Sequence, residues 1–101
     1  MASRLELQSK LEELLDNKNV YYQPPNNLTM GYPAIRYSRN DIITNYADDM
    51  KYKNLTRYEL IVISKKPDHP VIERLLELPY CSYDRHYIAD NLHHDVLTIY
   101  Y

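Results

Sequence analysis

Glycine is almost missing from this chain, with one residue, Gly31, in 101. Loops that wrap phosphate groups need several glycines at fixed spacing, so the usual nucleotide-binding motifs are excluded. Cysteine is equally scarce. Cys81 alone cannot form an internal disulfide, which fits a reducing compartment or indifference to redox state. Phenylalanine and tryptophan are absent. No apolar run approaches the ~20 residues that a membrane-spanning helix needs. The first stretch, "MASRLELQSKLEELL", is charged throughout and reads as no signal peptide. Basic residues are outnumbered twelve to fourteen, for a net charge of −2. A groove built to grip nucleic acid is normally far more basic.

What the chain does have is tyrosine, twelve of them. They explain how a 45% hydrophobic composition coexists with a mean hydropathy of −0.61. A tyrosine ring buries apolar area while its hydroxyl seeks a partner, which suits half-buried sheet faces and protein interfaces; tyrosine is also simply a good strand former. The length predicts one domain over residues 1–101, small enough to gain stability from a partner surface.

The patterning predicts the elements. Ser3 and Glu6 fit a capping box ahead of Leu7, Leu11, Leu14 and Leu15, giving a helix over 4–16 that ends at Asp16-Asn17-Lys18-Asn19. "VYYQ" (20–23) reads as a short strand stopped by Pro24-Pro25. Residues 34–64 read as one long β-hairpin turning near Ala47-Asp48-Asp49-Met50, with a polar outer half that projects beyond the core. Asp68 is the predicted cap of a second helix, with Pro70 in its first turn and Pro79 after its end. Strands near 80–88 and 93–101 follow, joined by "ADNL". The fold class is therefore α+β, in the order α-β-β-β-α-β-β, with a mainly antiparallel sheet and both helices on one face.

The reactive residue types gather in "YCSYDRHYIADNLHHD" (80–95). Strand alternation places Cys81, Tyr83, Arg85 and Tyr87 on one face and Ser82, Asp84, His86 and Ile88 on the other. Cys81 and His86 are then split, which disfavours a nucleophile–base pair, and a lone cysteine is commonly a buried small hydrophobe. His86, Asp84 and either His93 or His94 are able to converge across the hairpin as zinc ligands, but no HxH, HExxH or CxxC spacing supports this. Asp48-Asp49 is too small a carboxylate set for a nuclease centre, and His69 is accounted for by its place beside the helix start. The expected catalytic, metal and cofactor residues are therefore none. A small metal-dependent hydrolase built on residues 81–95 is the enzymatic alternative.

Several segments together resemble a small tail protein family of long-tailed bacteriophages. They are "VYYQPP" (20–25), "YPAIRYS" (32–38), "YADDMKY" (46–52), "RYELIVI" (57–63) and "LPYCSYDRHYIADNLHHDVLTIYY" (78–101). The last is the most specific, with its Cys-Ser-aromatic-Asp-Arg run, its Ala-Asp-Asn-Leu and its final Tyr-Tyr. Proteins with such endings are described as minor tail, tail completion or tail terminator proteins. The resemblance implies an α+β domain that assembles as a hexameric ring, caps the tail tube and meets the head connector or head-closure protein. It implies a virion location in the tail or neck after synthesis in the host cytoplasm. It also implies that DNA passes the ring without specific binding and that no membrane or cofactor is involved. A head–tail adaptor of the same neck region is the near alternative. Within this reading Tyr46, Asp48, Asp49 and Tyr52, at the hairpin's outer half, are the expected interface residues.

Overall fold

The computed structural model describes residues 4–24, 31–47 and 50–101, with side chains described outside 41–55. Its elements are α1 (Arg4–Leu15), β1 (Val20–Tyr22), β2 (Ala34–Ala47), β3 (Met50–Ser64), α2 (Pro70–Leu76), β4 (Cys81–Ala89) and β5 (Leu92–Tyr100). This is the order and the α+β class that the patterning predicts. The five strands form one sheet, ordered β1-β2-β3-β5-β4. Only the β1–β2 pair is parallel; the other three are antiparallel.

In α1, Leu7, Leu11 and Leu15 fall four residues apart and are buried along one stripe. Ser3 of the expected capping box lies outside the described residues. The helix ends where Asp16 turns left-handed, with φ of 56°. In α2, Val71 and Leu75 supply the buried side. Its cap is His69 and not the predicted Asp68: His69 Nδ1 accepts the Val71 amide at 3.1 Å, and Pro70 opens the helix. Asp68 instead takes a left-handed turn conformation, φ 55°, which carries it out of capping geometry.

Both helices pack on one sheet face. Ile35, Tyr37, Tyr58, Leu60, Val62, Leu97 and Ile99 point into a core shared with α1 and α2. Burying each large aliphatic side chain contributes about 1.5–3 kcal/mol. A polar clamp is set into this core. The Tyr37 hydroxyl donates to Gln8 Oε1 and accepts from Arg4 at 3.2 Å, while Gln8 Nε2 donates to the Val20 carbonyl at 3.0 Å. Arg4 also lies over the Tyr22 ring, 4.4 Å from its centre, and Tyr22, Tyr37 and Tyr58 make mutual ring contacts. Burial is the main cause that raises the pKa of Tyr37 and of Tyr58, so both stay protonated hydroxyl donors.

The predicted hairpin is present. β2 and β3 pair from Ala34↔Ile63 out to Ala47↔Met50. β5 pairs with β3 only from Ser64↔His93 to Arg57↔Tyr100. Residues 41–47 and 50–55 therefore extend past the other strands as a two-stranded arm, and the molecule measures 51 × 26 × 23 Å. Register shifts at Arg39/Asp41 and Asn45/Tyr46 add twist along the arm.

With one glycine, left-handed turn positions fall to other residues. Asp90 and Asn91, with φ of 54° and 61°, form the two-residue β4–β5 turn, as a type I′ hairpin requires. Tyr80, with φ of 62°, is the costly case, because a bulky Cβ in this region opposes the following carbonyl by about 1–2 kcal/mol. Its side chain is 70% exposed, so little packing depends on it. Tyr80→Gly should raise stability by about 1 kcal/mol after the greater chain entropy of glycine is offset. Urea unfolding of the two proteins measures it.

Candidate functional site

The stretch from Cys81 to Asp95 forms the β4–β5 hairpin, and its side chains divide between the faces differently from simple alternation. The ladder runs Cys81↔Ile99, Ser82↔Thr98, Tyr83↔Leu97, then Arg85↔Val96 and His86↔Asp95. Asp84 is the extra residue of a bulge, and a bulge reverses the phase of everything beyond it. Cys81, Tyr83, His86 and Ile88 therefore share the helix-bearing face. Ser82, Asp84, Arg85 and Tyr87 share the opposite, open face. The expected separation of Cys81 from His86 by face is thus overturned. They still do not meet, since five residues of strand hold them about 16 Å apart. His93 is no nearer: it pairs with Ile88, and Cys81 pairs with Ile99, about 20 Å further along β5.

The expected zinc constellation is also divided. His86 Nε2 and His93 Nδ1 are 3.1 Å apart on the helix-bearing face, with their rings stacked. Asp84 is on the open face, accepting the Thr98 hydroxyl at 2.6 Å. His94 is on that face too, stacked on Tyr87 at 4.7 Å and bonded through Nδ1 to the Leu92 carbonyl. Asp95, buried, accepts the Tyr83 hydroxyl at 2.7 Å. Among the described residues no three His, Cys, Asp or Glu side chains converge as a metal-binding group.

Shallow depressions open on the sheet and beside the start of α2. One, of about 410 Å³, lies on the open face and is lined by Arg57, Glu59, Ser82, Asp84, Thr98 and Tyr100 among others. The other, of about 420 Å³, lies between Tyr32-Pro33 and the approach to α2, from Ser64 to Pro70. No helix covers the open face among the described residues, yet Val96 and Ile63 on it are buried. Arg36, Ile61, Val96 and Arg85 stand in one cross-strand row, so arginines sit at both ends of an apolar centre. Sequence reasoning missed this face, because Arg36, Arg57 and Arg85 are far apart in the chain and only strand order brings them together.

Of the expected interface residues, Tyr46 lies in β2 opposite Lys51, and Tyr52 lies in β3, so both are on the arm. Asp48 and Asp49 lie outside the described residues. No protein-family model matches this chain, and no curated protein is similar to it. Among the described residues no helix is long and apolar enough to cross a membrane.

The titration behaviour of the candidates is structural in cause. Burial, aided by the Asp84 charge, pushes the Cys81 thiol up to about 11. Its thiolate is then scarce at neutral pH, which opposes a nucleophilic role. Donation to Asp95, with burial second, pushes Tyr83 up to about 12. Burial, with the Arg74 charge second, lowers the pKa of His69.

Two measurements follow. Iodoacetamide at pH 8 should label native Cys81 at least about tenfold more slowly than Cys81 of the urea-unfolded chain, since the scarcer thiolate is only partly offset by its greater nucleophilicity. Because His69 is depressed in the folded state, its contribution is full above about pH 6.5 and is lost as pH falls from there through the folded pKa. His69→Asn keeps a capping acceptor but removes this titration. Its stability should decline less than that of the parent between about pH 6.5 and 5, as read by thermal unfolding.

Proposed function

We propose that this chain is a structural virion protein of a long-tailed bacteriophage, which caps the tail tube as a ring and forms the tail side of the head–tail junction. Beside the resemblance of its segments, the observation that carries the reading is the two-stranded arm of residues 41–47 and 50–55. A two-stranded ribbon that runs on past its own sheet is the form suited to reaching a neighbouring subunit or a tube surface. A cyclic assembly would also cover exposed strand edges of so small a domain.

In this reading the mechanism is binding, with no chemical step. The arm, through Tyr46, Asp48, Asp49 and Tyr52, contacts the tail tube protein or a ring neighbour. The remaining surface is offered to the head connector. Acidic side chains facing the channel repel phosphate and let DNA pass. The divided faces of the 80–95 hairpin support the binding reading over the hydrolase, because the candidate ligands and nucleophile stand apart.

The test is tail-tube binding. Changing both Asp48 and Asp49 to Lys should leave unfolding free energy within about 0.5 kcal/mol of the parent, as their expected place at the hairpin turn, away from the core, implies. The same variant should lose cosedimentation with purified tail tubes and fail to restore infectious particles to a phage lacking the protein. Normal tube binding and normal particle yield from the double variant contradict the proposal.

A further inference from the structure

β4 ends the sheet with nine residues, and among the described residues no other strand pairs with its outer side. Edge strands in proteins that remain single are commonly short, or carry lysine or proline, or are covered. β1, at the other edge, follows that pattern: it has three residues and is followed closely by Pro24. β4 has neither lysine nor proline, and Ser82 through Ile88 are all exposed. It also carries much of the molecule's exposed apolar surface, with Tyr83 43%, Tyr87 37% and Ile88 63% exposed.

The bulge gives this edge a specific complement. Two antiparallel copies of one regular strand, related by a two-fold axis normal to the sheet, must be centred on a residue, because only then do paired side chains share a face. In β4 the two central registers of this kind put Arg85 on Arg85 or Asp84 on Asp84, which like charges oppose. They also misalign the faces, since the phase reverses at Asp84. Centring the axis between Asp84 and Arg85 removes both conflicts. Asp84 and Arg85 both occupy the open face, so each meets its opposite charge. Tyr83 then pairs with His86 and Cys81 with Ile88, all on the helix-bearing face. Ser82 pairs with Tyr87 on the open face. Asp84 retains an oxygen for this, since Thr98 engages only Oδ2.

We propose that β4 is a self-recognition edge, on which a second copy of this chain adds its own β4 antiparallel, joining two five-stranded sheets through reciprocal Asp84–Arg85 pairs. This goes beyond the ring reading and describes the chain before assembly, when no ring neighbour covers the β4 edge. The arm belongs to β2 and β3, separated from β4 by β5, and stays accessible in the pair.

Sedimentation equilibrium of the full chain, from micromolar to sub-millimolar concentration, tests it. The parent should be a dimer. Asp84→Arg alone and Arg85→Asp alone should each weaken association by at least about tenfold, because each sets like charges opposite one another. A one-to-one mixture of these two variants should associate like the parent, since each then offers the charge that the other lacks. The double exchange within one chain should do the same, and it carries the test if a single variant fails to fold by circular dichroism. A parent that stays monomeric, single variants that associate as well as the parent, or exchanges that do not recover association would each overturn the proposal. Tail-tube binding, which reports on the arm, is read separately and is expected to be unchanged in all of these variants.

Discussion

The structure depends on the unequal pairing of its central strand. β3 bonds to β2 along almost its whole length but to β5 only from Arg57 to Ser64. Where it has two neighbours, Tyr58, Leu60 and Val62 point under the helices and are buried. Where it has one, the chain is a ribbon, and an isolated two-stranded ribbon is marginally stable in water. The inner half must therefore be held firmly for the outer half to be presented. That is the physical work of the clamp between Arg4, Gln8, Tyr22 and Tyr37, which fixes α1 across β1 and β2 at the edge of the core.

Much of this was legible in the sequence. Leucines at helical spacing, the β-branched run in "LTRYELIVIS" and the turn residues in "ADNL" each state one local preference, and local preference decides element order. The limits have identifiable causes. Bulges insert a residue without a strong sequence mark, so the phase change at Asp84 was invisible and the faces of His86 and Arg85 were exchanged. The helix cap fell on His69, because the left-handed turn at Asp68 turned away the better capping residue. The arginines of the open face and the Arg4–tyrosine clamp arise from contacts distant in sequence, which no local pattern encodes. For the candidate site, the sequence showed that reactive residue types gather between Cys81 and Asp95, but which of them share a face was not legible. The expected partition of these side chains between the faces is overturned, because the bulge at Asp84 returns His86 to the face of Cys81.

The surfaces divide by physical character. The helix-bearing face closes the core. The open face combines arginine, tyrosine and a buried apolar centre without a helix above it. The β4 edge offers unpaired backbone beside exposed aromatic and aliphatic side chains, and the arm leaves the body altogether. Three surfaces of this kind on 101 residues are what the proposed joining role would use. The reactive groups are correspondingly quiet: Cys81 is held as a thiol, Tyr83 is engaged by Asp95, and His94 is stacked on Tyr87.

The central claim is that this chain is built into the junction between head and tail. Cryo-electron microscopy of the neck of the parent phage tests it most directly. The account predicts a ring of this α+β domain at the head-proximal end of the tail tube, with residues 41–55 in contact with the tube or the adjoining subunit. A fully interpreted neck in which every density belongs to other proteins would contradict it.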